Sequence, residues 1–357
     1  MSLAWRRSRP RASAKGSAIL AIGAPAFIWA FAFALASPAG ADSIEGFYRG
    51  RSLTVLIGHS AGGGYDLYAR TLARFLGRHI PGLPVVVPQN MPGAGGLRLA
   101  NYLYAAAPKD GSVIGTFSRS IPTLPLLAPP AAFDGTKFTW LGSMSGDTSL
   151  CLTGGKSPVK TWRDMLTMPA VMGGQSAGSD SDIYARLYKN VLGARIRLVT
   201  GYPGTNDITL AMERGEVDGI CGLSWGTIKI AHPDWIRDAR VNFLLQAGLK
   251  KDSELPDVPF TLDLVDDAEK KLVLYLYFAP QGMGRPFAAP PGIPADRRTA
   301  LIKAFNDTLR DPELLAEAAR EKMDIHPMAS EEIDELLKEL YATPAEVVAK
   351  AAKAISE

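Results

Sequence analysis

An α/β fold of two lobes with a ligand cleft between them is predicted by three observations. Short apolar runs alternate with helix-patterned segments, glycine turns sit at the strand-to-helix junctions, and two of those turns are rich in glycine and serine. The clearest stretch is Leu53 to Leu72. Leu53-Thr54-Val55-Leu56-Ile57 is apolar and β-branched enough for a buried strand, and Gly58 to Gly64 breaks it. Leu67, Ala69, Leu72, Ala73 and Leu76 then recur at helical spacing. Glycine lets backbone approach a ligand closely, and the first N–H groups of the following helix are unpaired, so an anion can sit there.

The pattern recurs downstream. Leu83 to Val87 predicts a second strand, Pro88 to Gly96 a glycine turn, and Leu97, Leu99, Ala100, Leu103 and Ala106 a helix. Pro108-Lys109-Asp110-Gly111 is a turn and Val113 to Phe117 a third strand. Alternation of this kind predicts a parallel sheet, with ligands at the carboxyl ends of its strands, where both glycine turns lie. Ile121 to Pro130 is a proline- and leucine-rich connector. Leu272 to Phe278 is expected as a returning strand. Amphipathic helices follow over Pro294 to Arg310 and Pro312 to Met323, and Ser330-Glu331-Glu332 opens a last one with a capping-box-like start.

The chain has 357 residues, enough for two modest domains or one large one, but its start does not read as fold. Arg6, Arg7, Arg9, Arg11 and Lys15 form a basic region, Ala18 to Ala36 is apolar, and Ala39-Gly40-Ala41 is a small-residue cleavage pattern. An uncleaved anchor is the competing reading; Pro25, Pro38 and the A-x-A pattern favour a signal peptide over 1–41 and a periplasmic mature chain. Arg6-Arg7 also fits twin-arginine export, and no cysteine follows the apolar run to carry a lipid. All five charges of this segment are basic, so 34 lysines and arginines (39 less those 5) face 36 acidic residues in the remainder, a net charge of −2. That balance gives no nucleic-acid-binding surface.

Two cysteines remain, Cys151 and Cys221, both in strand-like surroundings. In an oxidising compartment a disulfide between them competes with two buried free thiols, and the bridge is the favoured reading. Four histidines, none clustered with a cysteine, argue against a metal site, and nothing calls for a cofactor.

Several stretches together carry a family resemblance. They are Ala61-Gly62-Gly63-Gly64-Tyr65-Asp66, Asn90-Met91-Pro92-Gly93-Ala94-Gly95-Gly96, Ala107-Pro108-Lys109-Asp110-Gly111, Val171 to Tyr184, Val199 to Gly204, Leu210 to Gly219, Leu255-Pro256-Asp257-Val258-Pro259 and Pro290 to Pro294. With this set the chain resembles the periplasmic receptors of tripartite tricarboxylate transporters, the Bug family. The resemblance implies a two-lobed periplasmic-binding-protein fold of type II-like form. It divides the chain into 42–145 (lobe 1), 146–275 (lobe 2) and 276–357 (return to lobe 1). It also implies a monomer, a small carboxylate ligand, membrane transporter subunits as partners, and no enzymatic activity. One departure stands out: Gly58-His59 replaces the family's usual Pro-Phe and creates Gly58-His59-Ser60-Ala61-Gly62, a G-x-S-x-G match.

Two functions therefore compete. In a receptor, two helix N-termini form a pincer, one after Gly62, Gly63 and Gly64, the other after Gln175, Ser176, Ala177, Gly178 and Ser179, with His59, Ser60, Ser176, Ser179 and Ser181 lending polar groups. Asp66 either meets a hydroxylated ligand or simply faces the helix dipole. Tyr65, Tyr202 and Trp225 are either pocket walls or core. Arg119, after the third strand, either reaches the cleft or, as lone loop arginines more often do, stays in solvent. The alternative is a secreted serine hydrolase using Ser60, with His232 or His326 as base, His79 being too near at the end of the first helix. Its elbow would follow the first strand, leaving no earlier strand to supply an oxyanion N–H, which puts the receptor ahead.

Overall fold

The computed structural model describes residues 43–127 and 132–356. The export segment read at 1–41 lies outside the described residues. Among the described residues eleven strands form two sheets: β1 (Ser52–Ile57), β2 (Val85–Asn90), β3 (Val113–Thr116), β4 (Thr139–Ser143), β5 (Ser149–Gly154), β6 (Ala170–Gly173), β7 (Ile196–Val199), β8 (Gly219–Ser224), β9 (Val241–Ala247), β10 (Pro286–Ala289) and β11 (Met328–Ala329). The first sheet has the order β11-β4-β10-β3-β1-β2 and the second β7-β6-β8-β5-β9.

Both sheets are mixed, where a parallel sheet is expected from sequence. β1 runs parallel to β2 and β3, and β6 parallel to β7 and β8. β10 is antiparallel to β3 and β4, and β5 is antiparallel to β8 and β9. The cause is connectivity. β4 leads straight to β5 in the other sheet, and β9 leads back to β10. A strand entering from the opposite sheet starts at the shared edge, whereas β1, β3, β6 and β8 end there, so the two kinds run in opposite directions. The apolar run of β1 is explained by its central place: Leu53, Val55 and Ile57 are fully buried, with helices on the sheet faces.

Leu272 to Phe278 is not a strand. It lies in the helix Ala268–Phe278, whose start is capped by the Asp267 carboxylate accepting from Glu269 N–H at 2.8 Å and Lys270 N–H at 3.2 Å. The helices Ala295–Thr308, Pro312–Arg320 and Ser330–Tyr341 follow near the predicted positions, and a further helix, Ala345–Ala354, ends the fold. That last helix does not stay with the first sheet, as the 276–357 division expects. Ala351 and Ala354 share an apolar cluster with Val273, Leu274, Leu244 and Ala185 of the second half. Tyr277 Oη donates to Ala351 O at 2.8 Å, and Asn190 Nδ2 donates to Ala354 O at 2.9 Å. Cys151 on β5 and Cys221 on β8 are fully buried in that cluster and bonded to one another.

Candidate functional site

The carboxyl ends of β1 and β3 meet those of β6 and β8 around a narrow, partly enclosed cavity. From the first sheet come His59, Ser60, Gly63, Gly64 and Tyr65 after β1, Ser118 and Arg119 after β3, and Arg285 just before β10. The second sheet supplies Gln175, Asp180 and Ser181 after β6, Thr205 after β7, and Gly222, Leu223, Ser224 and Thr227 from the end of β8 and the helix behind it. Three helices start at this cavity: Gly64–Leu76, Asp180–Asn190 and Thr205–Arg214. Each aims unpaired N–H groups and a partial positive charge toward it.

Contacts across the cavity are close. Asn206 Nδ2 donates to Ala61 O at 3.4 Å, and Ser120 Oγ donates to Gly178 O at 3.1 Å. Gly95, from the Asn90-to-Gly96 turn, holds φ +62°, and a Cβ there would stand 2.6 Å from Ser179 Cβ. The turn's glycine thus buys both a left-handed backbone and an approach no side chain permits.

Of the residues singled out from sequence, His59, Ser60, Gly63, Gly64, Tyr65, Gln175 and Ser181 line the cavity. Asp66, Gly62, Ser176, Ala177, Gly178, Ser179, Tyr202 and Trp225 do not. Asp66 is turned to the outer side of its loop, where its carboxylate accepts from Gly62 N–H (2.9 Å), Arg70 Nε (2.9 Å) and Asn90 Nδ2 (2.7 Å). Burial pushes its carboxyl up, but these three donors outweigh burial and hold it below the usual carboxylate value. Ser179 caps the Asp180–Asn190 helix, accepting from Asp182 N–H and donating to Ser176 O at 2.7 Å. Ala177 is exposed at the loop tip. Tyr202 packs with Val171, Val199 and Ile208. Trp225 is core as well, edge-on to Phe243, its Nε1 donating to Glu254 at 2.6 Å.

The main surprise is charge. Arg119 is only 2% exposed, not solvated, and Arg285, unremarked in the sequence, is equally buried. Arg119 Nη2 lies 3.0 Å from Asp180 Oδ2 and donates to Ser149 Oγ at 2.6 Å; its Nη1 is 3.3 Å from Asp147 Oδ2. Arg285 Nη2 meets the same Asp147 oxygen at 2.8 Å and donates to Ser224 Oγ at 2.5 Å. Asp180 Oδ1 accepts from Ser118 Oγ (3.0 Å) and Ser120 Oγ (2.7 Å). Two arginines and two aspartates thus form one buried, hydrogen-bonded network behind and beside the cavity. Burial raises the Asp147 carboxyl, but Arg285 and Arg119 outweigh it and hold the group low.

Above this network the rings stack. The Arg285 guanidinium carbon lies 5.0 Å from the Tyr65 ring centre and 4.8 Å from that of Tyr68, and His59 stacks on Tyr65 at 4.3 Å. His59 is 7% exposed, and its Nε2 is buried with no partner among the described residues. Burial pushes its pKa down to about 4, Asp180 opposing weakly, so the ring is neutral at physiological pH.

The hydrolase geometry is not assembled. His79 bonds Asp311 at 2.9 Å, His232 stacks on Trp235, and the His326 backbone N–H donates to Met144 O at 3.1 Å. None of the three lines the cavity that Ser60 faces.

Comparisons with known proteins agree with this architecture. The family model described as "Tripartite tricarboxylate transporter family receptor" matches residues 69–352. The "UPF0065 protein in gbd 5'region" of Cupriavidus necator is 24% identical over 227 residues, 60% of this chain. The match spans 64% of that relative, less than two thirds of its length. Among solved structures, the periplasmic binding protein BugD superposes with a TM-score of 0.68 at 20% identity, over 85% of this chain and 98% of that one. MatC from Rhodopseudomonas palustris, with bound malate, gives 0.65 at 20% identity over 84% and 99%. These likenesses are of fold, that of a two-lobed periplasmic binding protein, and the family match extends over most of the sequence. The chain belongs to the tripartite tricarboxylate transporter receptor family.

Proposed function

We propose that this protein is an extracytoplasmic solute-binding receptor that captures a small carboxylate in the cleft and delivers it to the membrane subunits of a tripartite transporter. The single observation that carries this reading is the convergence of three helix N-termini on one cavity lined by polar side chains from both halves. Malate bound to MatC supports a carboxylate as the ligand class. In this reading residues 1–41 direct export and are removed near Ala41. The Cys151–Cys221 bridge forms outside the cytoplasm, so the unreduced mature chain offers no alkylatable thiol.

The proposed ligand contacts are Ser60, the Gly63 and Gly64 N–H groups, Gln175 and Ser181. A thermal-shift screen of the purified mature protein against mono-, di- and tricarboxylates tests the function, because a specific binder stabilises the native state by mass action. If no carboxylate raises the melting temperature, the reading fails. Ser60→Ala should weaken binding of the carboxylate found by about 0.5–1.5 kcal/mol, measured by calorimetry. Stoichiometric labelling of Ser60 by a fluorophosphonate would instead install the hydrolase.

A further inference from the structure

The charges around the cavity cancel. Arg119 and Asp180 line it together with Arg285, and Asp147 pairs with both arginines from behind. Arg119, Arg285, Asp147 and Asp180 thus sum to zero, and the buried histidine beside them, His59, is neutral. No arginine is left to serve as the undivided counter-charge of a ligand carboxylate. What remains for an anion is the set of helix N-termini, each equivalent to roughly half an elementary charge, and two unpartnered donors, the Nε–H groups of Arg119 and Arg285. Bringing a second or third carboxylate into this space would bury charge without a compensating partner, which costs free energy.

A second observation concerns the rest of the ligand. His59 Nε2 is buried, lacks a partner among the described residues, and belongs to a ring that lines the cavity. A neutral imidazole nitrogen, as acceptor or as N–H donor, pairs well with a hydroxyl, carbonyl or amide group and brings no charge to offset a second anion. Its position next to Ser60 puts an uncharged polar contact one residue from the proposed carboxylate contact.

We propose that this receptor selects a small monocarboxylate whose other polar groups are uncharged, and that the Asp180–Arg119 and Asp147–Arg285 pairs exclude di- and tricarboxylates. The inference rests on the carboxylate-receptor reading above and narrows it. Asp180 is the specificity-determining residue, since it lines the cavity and takes up the charge of Arg119.

The test is calorimetry on the wild-type mature protein with lactate, pyruvate, 4-hydroxybenzoate, malate, adipate and citrate. At least one monocarboxylate should bind at least about tenfold more tightly than either dicarboxylate, and about a hundredfold more tightly than citrate, as expected when uncompensated charge enters a low-dielectric site. Asp180→Asn should narrow the gap between mono- and dicarboxylates by about tenfold, because Arg119 and Arg285 then share Asp147 alone and the network gains one net positive charge. Its melting temperature, recorded in parallel, separates this from loss of fold. Should the variant not fold, the Asp180→Ser variant, whose short polar side chain leaves the Ser179 cap in place, is used instead. Malate, adipate or citrate binding as tightly as the best monocarboxylate overturns the selectivity and leaves the carboxylate receptor standing. Binding by none of the six acids overturns both.

Discussion

On the outer side of the loop after β1, Asp66 accepts from Gly62, Arg70 and Asn90, with Arg70 39% exposed. Inside, Arg119, Arg285, Asp147 and Asp180 form a network of the same chemical groups, with both arginines 2% exposed. The outer cluster shapes a loop and is screened by water on the Arg70 side, although Asp66 itself is only 4% exposed, so its ion pair contributes less than a fully buried one. The inner one is largely shielded, its arginines 2% and Asp147 5% exposed. Each member is tolerable only because the others are present, and loss of one strands the rest. Identical side chains therefore give a dispensable brace in one place and an obligatory frame in the other.

Three measurements break or sharpen that contrast. The largest effect is expected for Asp147→Asn, which removes the carboxylate bound to Arg285 and leaves Asp180 to Arg119. It should cost about 3–5 kcal/mol of unfolding free energy in urea titrations, as for other broken buried pairs. A loss below about 1 kcal/mol would put the inner network in the same class as the outer. The pH dependence comes next. His59 is depressed from 6.5 to about 4, so the unfolded chain binds its proton first as pH falls. Stability should therefore decline as pH drops from 6.5 towards 4, and His59→Gln should flatten that segment of a melting-temperature profile. Asp147 and Asp66, both held below 3.8, contribute stability that is present above that pH and lost in stronger acid. The smallest effect belongs to Asp66→Asn. Given the exposure of Arg70, it should cost about 0.5–1 kcal/mol by urea titration and leave ligand affinity unchanged within twofold.

Much of this was legible in the sequence. The strand-glycine-helix junctions at Gly58 to Gly64 and Gly174 to Ser181 are written in local patterns, and those patterns place seven of the expected residues on the cavity. The arginine network was not legible. Arg119 and Arg285 stand far apart in the chain with no motif around them, and only the crossing from β9 back to β10 brings them to one carboxylate. Exposure statistics pointed Arg119 the wrong way, because they describe arginines without partners. The helix Ala268–Phe278 was misread for a different reason. Val273, Leu274, Leu276, Tyr277 and Phe278 are all buried, so its later turns lack the polar stripe that marks a surface helix. Asp267 was a usable start signal ahead of it.

The last helix also has a meaning in time. Ala345–Ala354 closes the apolar cluster under β5 and β8, two hundred residues after the chain first enters that sheet. A ribosome releases the middle of the protein long before it releases the piece that covers it. The second half therefore waits, its apolar side open, until that helix emerges. If the chain is exported unfolded, delay is an asset: a polypeptide that cannot finish folding early stays threadable.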